Sequence, residues 1–137
     1  MTTTSGLRFP LLLRIICLLL AAAVVFNLFY LGSKPFAAGL VPPPWDKLAH
    51  LAVYSAITAL LWIGMGGRAA IVVIIAAIAI GALDELHQAS VPGRTADAGD
   101  FLVDVCAGVG TAIAMQLYAR TRSGPACANR STTRPPS

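Results

Sequence analysis

The chain has 137 residues, 57% of them hydrophobic and only 12% charged, a balance outside that of water-soluble domains. Its net charge of +4 is spread between and beyond long apolar runs, so composition points to an integral membrane protein and gives no reason to expect nucleic acid as a partner. The cysteines, Cys17, Cys106 and Cys127, have no CxxC spacing, so neither a disulfide framework nor a metal centre is expected, and no cofactor is expected.

Residues 1–10 form a polar N-terminus. The first apolar run, 11–31, follows Arg8 and includes Arg14. Its uncharged core exceeds the roughly 7–15 residues of a signal-peptide core, so it reads as an uncleaved first span. Three more runs follow at about 47–63, 69–87 and 100–119. As helices they approach the ~30 Å of a hydrocarbon core, and none alternates as a barrel strand would. The first connection ends in Pro42, Pro43 and Pro44, predicting an extended polyproline approach. Trp45 and Tyr30 suit an interfacial aromatic belt. The short turn from Gly64 to Arg68 makes spans two and three packed, antiparallel neighbours. Residues 121–137 are rich in Ser, Thr, Pro and Arg and read as a disordered basic tail. The predicted fold is an all-α membrane four-helix bundle occupying residues 11–120.

Basic residues set the expected orientation. Arg8, Arg14, Arg68, Arg120, Arg122, Arg130 and Arg134 fall on one side of the spans, and only Lys34, Lys47 and Arg94 on the other. The positive-inside rule then puts both termini in the cytoplasm and both polar clusters on the outer side.

Polar chemistry is confined to two short stretches. Residues 84–104 hold five of the six acidic residues, and Asp46, the sixth, opens the cluster DKLAH. Asp46 suits a helix cap, and Asp46, His50 and Tyr54 recur every fourth residue, which places them on one helical face. Gly81 and Glu85 share a face one turn apart, with Gln88 beyond them. Pro92-Gly93 is the central pair of a type II turn. Asp97, Asp100 and Asp104 form one acidic face if the fourth helix has begun by Asp97. His50, Glu85 and Asp104 therefore reach similar depth from three spans, where ionisable groups are costly and mark a functional site. Helix-end ion pairing alone is the plainer reading, but the two cations Lys47 and Arg94 cannot neutralise six acids.

These residues together, DKLAH at 46–50 with Tyr54, DELHQ at 84–88, PGR at 92–94, then Asp100, Asp104 and Gly108, resemble the VanZ-like family of small bacterial membrane proteins. The similarity covers residues 40–118. By position, the family's Asp-Lys-x-x-His element corresponds to Asp46, Lys47 and His50, its Glu-x-x-Gln to Glu85 and Gln88, and its Pro-Gly-Arg to Pro92, Gly93 and Arg94, with Asp100 as the following acid. Many relatives carry Asn where Asp104 stands, and Gly108 sits one place beyond the family's glycine. The resemblance implies a four-helix protein of the cell envelope, some of whose relatives are associated with low-level glycopeptide resistance. It brings no reaction with it.

The expected function is an outward polar pocket that handles a membrane lipid or a lipid-linked cell-wall precursor. His50 and Glu85 are its candidate acid and base, Lys47 and Arg94 its anion holders, and Asp46, Tyr54, Gln88, Asp100 and Asp104 its other polar contacts. The alternative is a non-catalytic binding or accessory protein using the same pocket, with Gly108, Gly110, Ala112 and Ala114 permitting close helix association, including between copies. A metal set of Asp46, His50, Glu85 and His87 is a weaker reading, since no HExxH spacing supports it. A transporter is weaker still, because no polar relay continues towards the cytoplasm.

Overall fold

The computed structural model describes residues 9–37, 40–94 and 96–122. Arg8, Cys127, Arg130, Arg134, residues 1–8 of the polar N-terminus and nearly all of the basic tail lie outside them. Among the described residues the chain is all-helical, with no strand. Its helices are α1 (Leu11–Gly32), α2 (Trp45–Gly64), α3 (Ala70–Ser90) and α4 (Ala98–Arg122), with one turn of 3-10 helix at Pro35–Ala37. All four are long and apolar enough to cross a membrane.

The helices bury narrow stripes and leave broad apolar faces outside. Tyr54, Ile57, Thr58 and Trp62 are the buried stripe of α2, and Val73, Ala77, Gly81, Asp84 and Gln88 that of α3. On α4 the stripe runs through Asp100, Asp104, Ala107, Gly108 and Ala112. Spacings of three and four keep each stripe on one side of its helix. Leu19, Ile71, Ile75, Leu86 and Leu102 are more than half exposed, the apolar exterior expected of helices whose solvent is lipid.

Small residues set the helix separations. A Cβ added at Gly108 would stand 2.9 Å from the Ala77 Cβ, and one at Gly64 would stand 2.6 Å from Leu18 Cγ. Glycine therefore lets α4 close on α3 and α2 close on α1, where dispersion contacts replace the hydrophobic force that lipid does not supply. The Arg14 Nε donates to the Gly64 carbonyl at 3.1 Å, satisfying one of the free carbonyls at the end of α2 with a cation that suits the helix dipole.

Burial divides the bundle by chemistry along its length. Trp62, Val73 and Ala119 form an apolar cluster with Phe9, Leu61, Ile63, Met65 and Met115 at one end. The buried polar residues Asp84, Gln88, Asp100 and Asp104 lie in the last turns of α3 and the first turns of α4, at the other end.

Connections at the polar end differ in part from their expected form. The prolines do not remain extended: the Trp45 amide donates to the Pro42 carbonyl at 2.9 Å, closing a turn that starts α2 at once. Asp46 is not the residue before the helix but lies in its first turn, where its Oδ1 accepts from the Lys47 amide at 2.9 Å. Pro92-Gly93 does make the type II turn, with Gly93 at φ +83° and the Arg94 amide donating to Val91 at 3.1 Å. Asp97 precedes α4 and does not extend its acidic face. It caps the helix instead, its Oδ1 accepting from the Gly99 amide at 2.7 Å.

Candidate functional site

Three helix ends supply the polar site because each carries its functional residues one turn apart. α2 brings His50 and Tyr54, the last turns of α3 bring Asp84 and Gln88, and the first turns of α4 bring Asp100 and Asp104. His50 is the centre. Its Nδ1 lies 2.9 Å from Asp104 Oδ1, and its Nε2 lies 3.8 Å from Asp100 Oδ2. With both acids ionised, the ring holds Nδ1–H towards Asp104, which fixes its orientation. Tyr54 lies parallel to it, with ring centroids 6.1 Å apart.

Burial sharpens the chemistry. Asp84 and Asp104 are each 1% exposed. Asp84 accepts one hydrogen bond, from Gln88 Nε2 at 2.9 Å. Asp104 Oδ2 is buried with no hydrogen-bond partner, and the buried Tyr54 hydroxyl has Asp84 as a weak side-chain partner outside ideal hydrogen-bond geometry. Gly81 permits this arrangement, since a Cβ there would stand 3.2 Å from Asp104 Cβ and 3.4 Å from its Oδ2.

A cavity of about 860 Å³ opens beside this cluster. One side is apolar, built by Leu20, Val24, Leu28 and Leu31 of α1 with Phe36, Leu40 and Val41 of the following connection. The other is polar, formed by Asp46, His50, Asp84, Gln88, Arg94, Asp97 and Asp100. Tyr54 and Asp104 stand behind His50 and do not line the cavity.

Two residues expected in the pocket are turned elsewhere. Glu85, the expected partner of His50 in acid–base chemistry, does not line the cavity. Its Oε2 accepts from the Asp97 amide at 2.8 Å, tying α3 to the start of α4. The inward acid is its neighbour Asp84, which sequence reasoning left out. Adjacent residues lie about 100° apart on a helix, so Asp84 on the buried stripe leaves Glu85 at its half-buried edge. Lys47 is also occupied outside the cavity, with Nζ 3.0 Å from Asp97 Oδ2 and 2.7 Å from Asp100 Oδ1.

Arg94 remains available. Its NH1 donates to the Gly32 carbonyl at a long 3.4 Å, and it makes no ion pair among the described residues. Outside the spans, Asp97 is held below the ordinary carboxyl range by the Gly99 amide and then by Lys47. A depressed acid supports its cap above the ordinary value and loses it as pH falls through the lowered one.

The weaker alternative, a metal set of Asp46, His50, Glu85 and His87, is not brought together. His87 lies against α1, its Nε2 3.0 Å from Ser33 Oγ and its ring edge-on to Phe29, while Glu85 faces Asp97. Another set is: donor atoms of His50, Asp84 and Asp104 all lie within 4.8 Å of one another. Fold and site together define a multi-pass membrane protein with buried acids and an imidazole beside an amphipathic cavity. No family profile, curated protein or solved structure matches the chain.

Proposed function

We propose that the chain is a VanZ-like protein of the bacterial cytoplasmic membrane whose cavity takes up an amphiphile, either a lipid-linked cell-wall precursor or a phospholipid. The carrying observation is the division of the cavity walls. Acyl or prenyl chain suits the wall made by α1 and residues 36–41, and a polar head group suits His50, Gln88 and Arg94. Arg94 anchors a phosphate or carboxylate, a role that its lack of an ion pair supports and that the two acids bonded to Lys47 deny that residue.

The helices run up and down as antiparallel neighbours, with both termini in the cytoplasm. The basic bias of the sequence supports this orientation, which puts the cavity at the outer leaflet, where cell-wall precursors are consumed. His50 is the group best placed for proton transfer, being both a wall of the cavity and hydrogen-bonded to a buried acid. Glycopeptide tolerance would follow if the protein binds or alters the precursor that those antibiotics recognise. A purely binding role uses the same cavity without turnover, with the small residues of α4 offering a helix-association face.

Expression in a susceptible bacterium, with glycopeptide susceptibility and membrane lipid composition measured together, tests the reading. Arg94→Ala and His50→Ala should each remove the protein's effect, while Arg94→Lys should retain part of it because charge survives and the bidentate fork does not. A changed lipid head group or precursor in the wild type supports an enzyme. Unchanged lipids with altered susceptibility support binding. Full effect from both alanine variants would contradict a role for this cavity.

A further inference from the structure

We propose that His50, Asp84 and Asp104 hold a divalent transition-metal ion, of the zinc or manganese class, at the inner wall of the cavity. One imidazole and two carboxylates are a donor set that these ions accept. The donor atoms lie within 4.8 Å of one another, and the residues come from α2, α3 and α4, so the bundle itself fixes the geometry. The 2.9 Å between His50 Nδ1 and Asp104 Oδ1 is a hydrogen bond; a six-coordinate ion with bonds of about 2.1 Å would replace its proton, which is released to solvent, with little movement of either residue.

Two independent features point to an occupant. Asp104 Oδ2 is buried and unpartnered, in a side chain that is 0% exposed. Buried polar atoms normally find partners, and an ion would supply one, either by coordinating this carboxylate or through a bound water that donates to it. The second feature is charge. Asp84 and Asp104 are buried acids with His50 as the one imidazole among them, whereas Asp97 and Asp100 already share Lys47. A divalent ion held by Asp84 and Asp104 balances their charge.

His50 and Asp84 line the cavity whereas Asp104 stands behind them. The three protein ligands thus leave the ion's open positions towards the cavity, the arrangement that distinguishes sites meeting a substrate from closed structural ones. An oxygen of a phosphate or carboxylate head group would take one such position, with Arg94 on the same head group. The ion's role there rests on the amphiphile reading, but its binding does not.

The test uses the full chain in lipid nanodiscs, with Mn²⁺ and Zn²⁺ as separate probes. Wild-type protein should bind about one ion by elemental analysis after dialysis, and bound Mn²⁺ should show the electron-spin-echo modulation of a single imidazole nitrogen. Asp84→Asn and Asp104→Asn, nearly isosteric, should weaken binding by at least the roughly 10–100-fold that loss of an outer-shell partner costs. His50→Gln should abolish the nitrogen signal, while Glu85→Gln should leave affinity unchanged. Monodisperse elution of each variant separates ligand loss from misfolding. Binding of neither ion, or equal binding by wild type and an Asp84→Asn/Asp104→Asn double variant, would overturn the proposal. If lipid is still retained in that case, the ion site fails and the amphiphile cavity stands.

Discussion

Replacing His50 with alanine is expected to destabilise the bundle by about 3–5 kcal/mol, the usual cost of leaving one member of a buried pair alone. The side chain of Asp104 is 0% exposed, its Oδ1 has His50 as hydrogen-bond partner at 2.9 Å, and its Oδ2 has none. Without the imidazole, and with any metal removed by chelation, the carboxylate would face the buried Asp84 and a low-dielectric surround with nothing to compensate it. The contact also joins α2 to α4, so its loss loosens the packing that keeps both helices beside α3. His50→Ala/Asp104→Leu should recover much of the loss, because it removes the stranded acid along with its partner. Asp104→Asn alone should cost far less, since an amide oxygen still accepts from the ring. Unfolding in mixed micelles by increasing SDS measures all three. A cost below about 1 kcal/mol for His50→Ala would place the pair in the class of exposed ion pairs and contradict its structural role.

The second large effect concerns backbone approach. Gly108→Ala should cost about 1–3 kcal/mol, as overpacking does, because its new methyl would stand 2.9 Å from Ala77 Cβ and 3.5 Å from Thr58 Oγ1. Neither neighbour is the tip of a long flexible side chain, so helices must move. Asp104 lies one turn away on the same stripe, and its approach to His50 should lengthen as α4 is displaced. Gly110→Ala is the control. A Cβ there meets nothing within 4 Å, so that variant should be neutral or gain up to about 1 kcal/mol from helix propensity. Equal effects from the two would show that helix propensity, not close packing, governs the α3–α4 interface.

The helices were legible because hydropathy and length alone constrain a chain whose backbone must satisfy itself in lipid. Pro92-Gly93 was equally plain, since a positive φ at Gly93 follows from turn chemistry. The facing of individual acids was not. Pairing Gly81 with Glu85 follows the i, i+4 rule, yet the stripe that packs runs Val73, Ala77, Gly81, Asp84 and Gln88. Spacings of three and four are both helical neighbours, and only contact with α4 selects between Asp84 and Glu85. The run of small residues at 77 and 81 was the one available signal. The apolar wall from α1 was equally hidden, because hydropathy cannot distinguish a leucine facing lipid from one facing a cavity. Nothing in the sequence around Lys47 shows that its ammonium is held by Asp97 and Asp100, about fifty residues away.

An amphiphile in the cavity, as proposed, would have its head at Arg94 and its chain along α1. Native mass spectrometry of protein released from membranes without delipidation tests it most directly. Wild-type protein should carry a bound lipid or lipid-linked species that survives gentle activation. Occupancy should fall about tenfold or more in Arg94→Ala, an effect of about 1.4 kcal/mol, and in Val24→Trp, which fills the apolar side. Loss in both variants with retention in Glu85→Gln is the predicted result. Equal occupancy in all four proteins, or none in the wild type, would contradict the account.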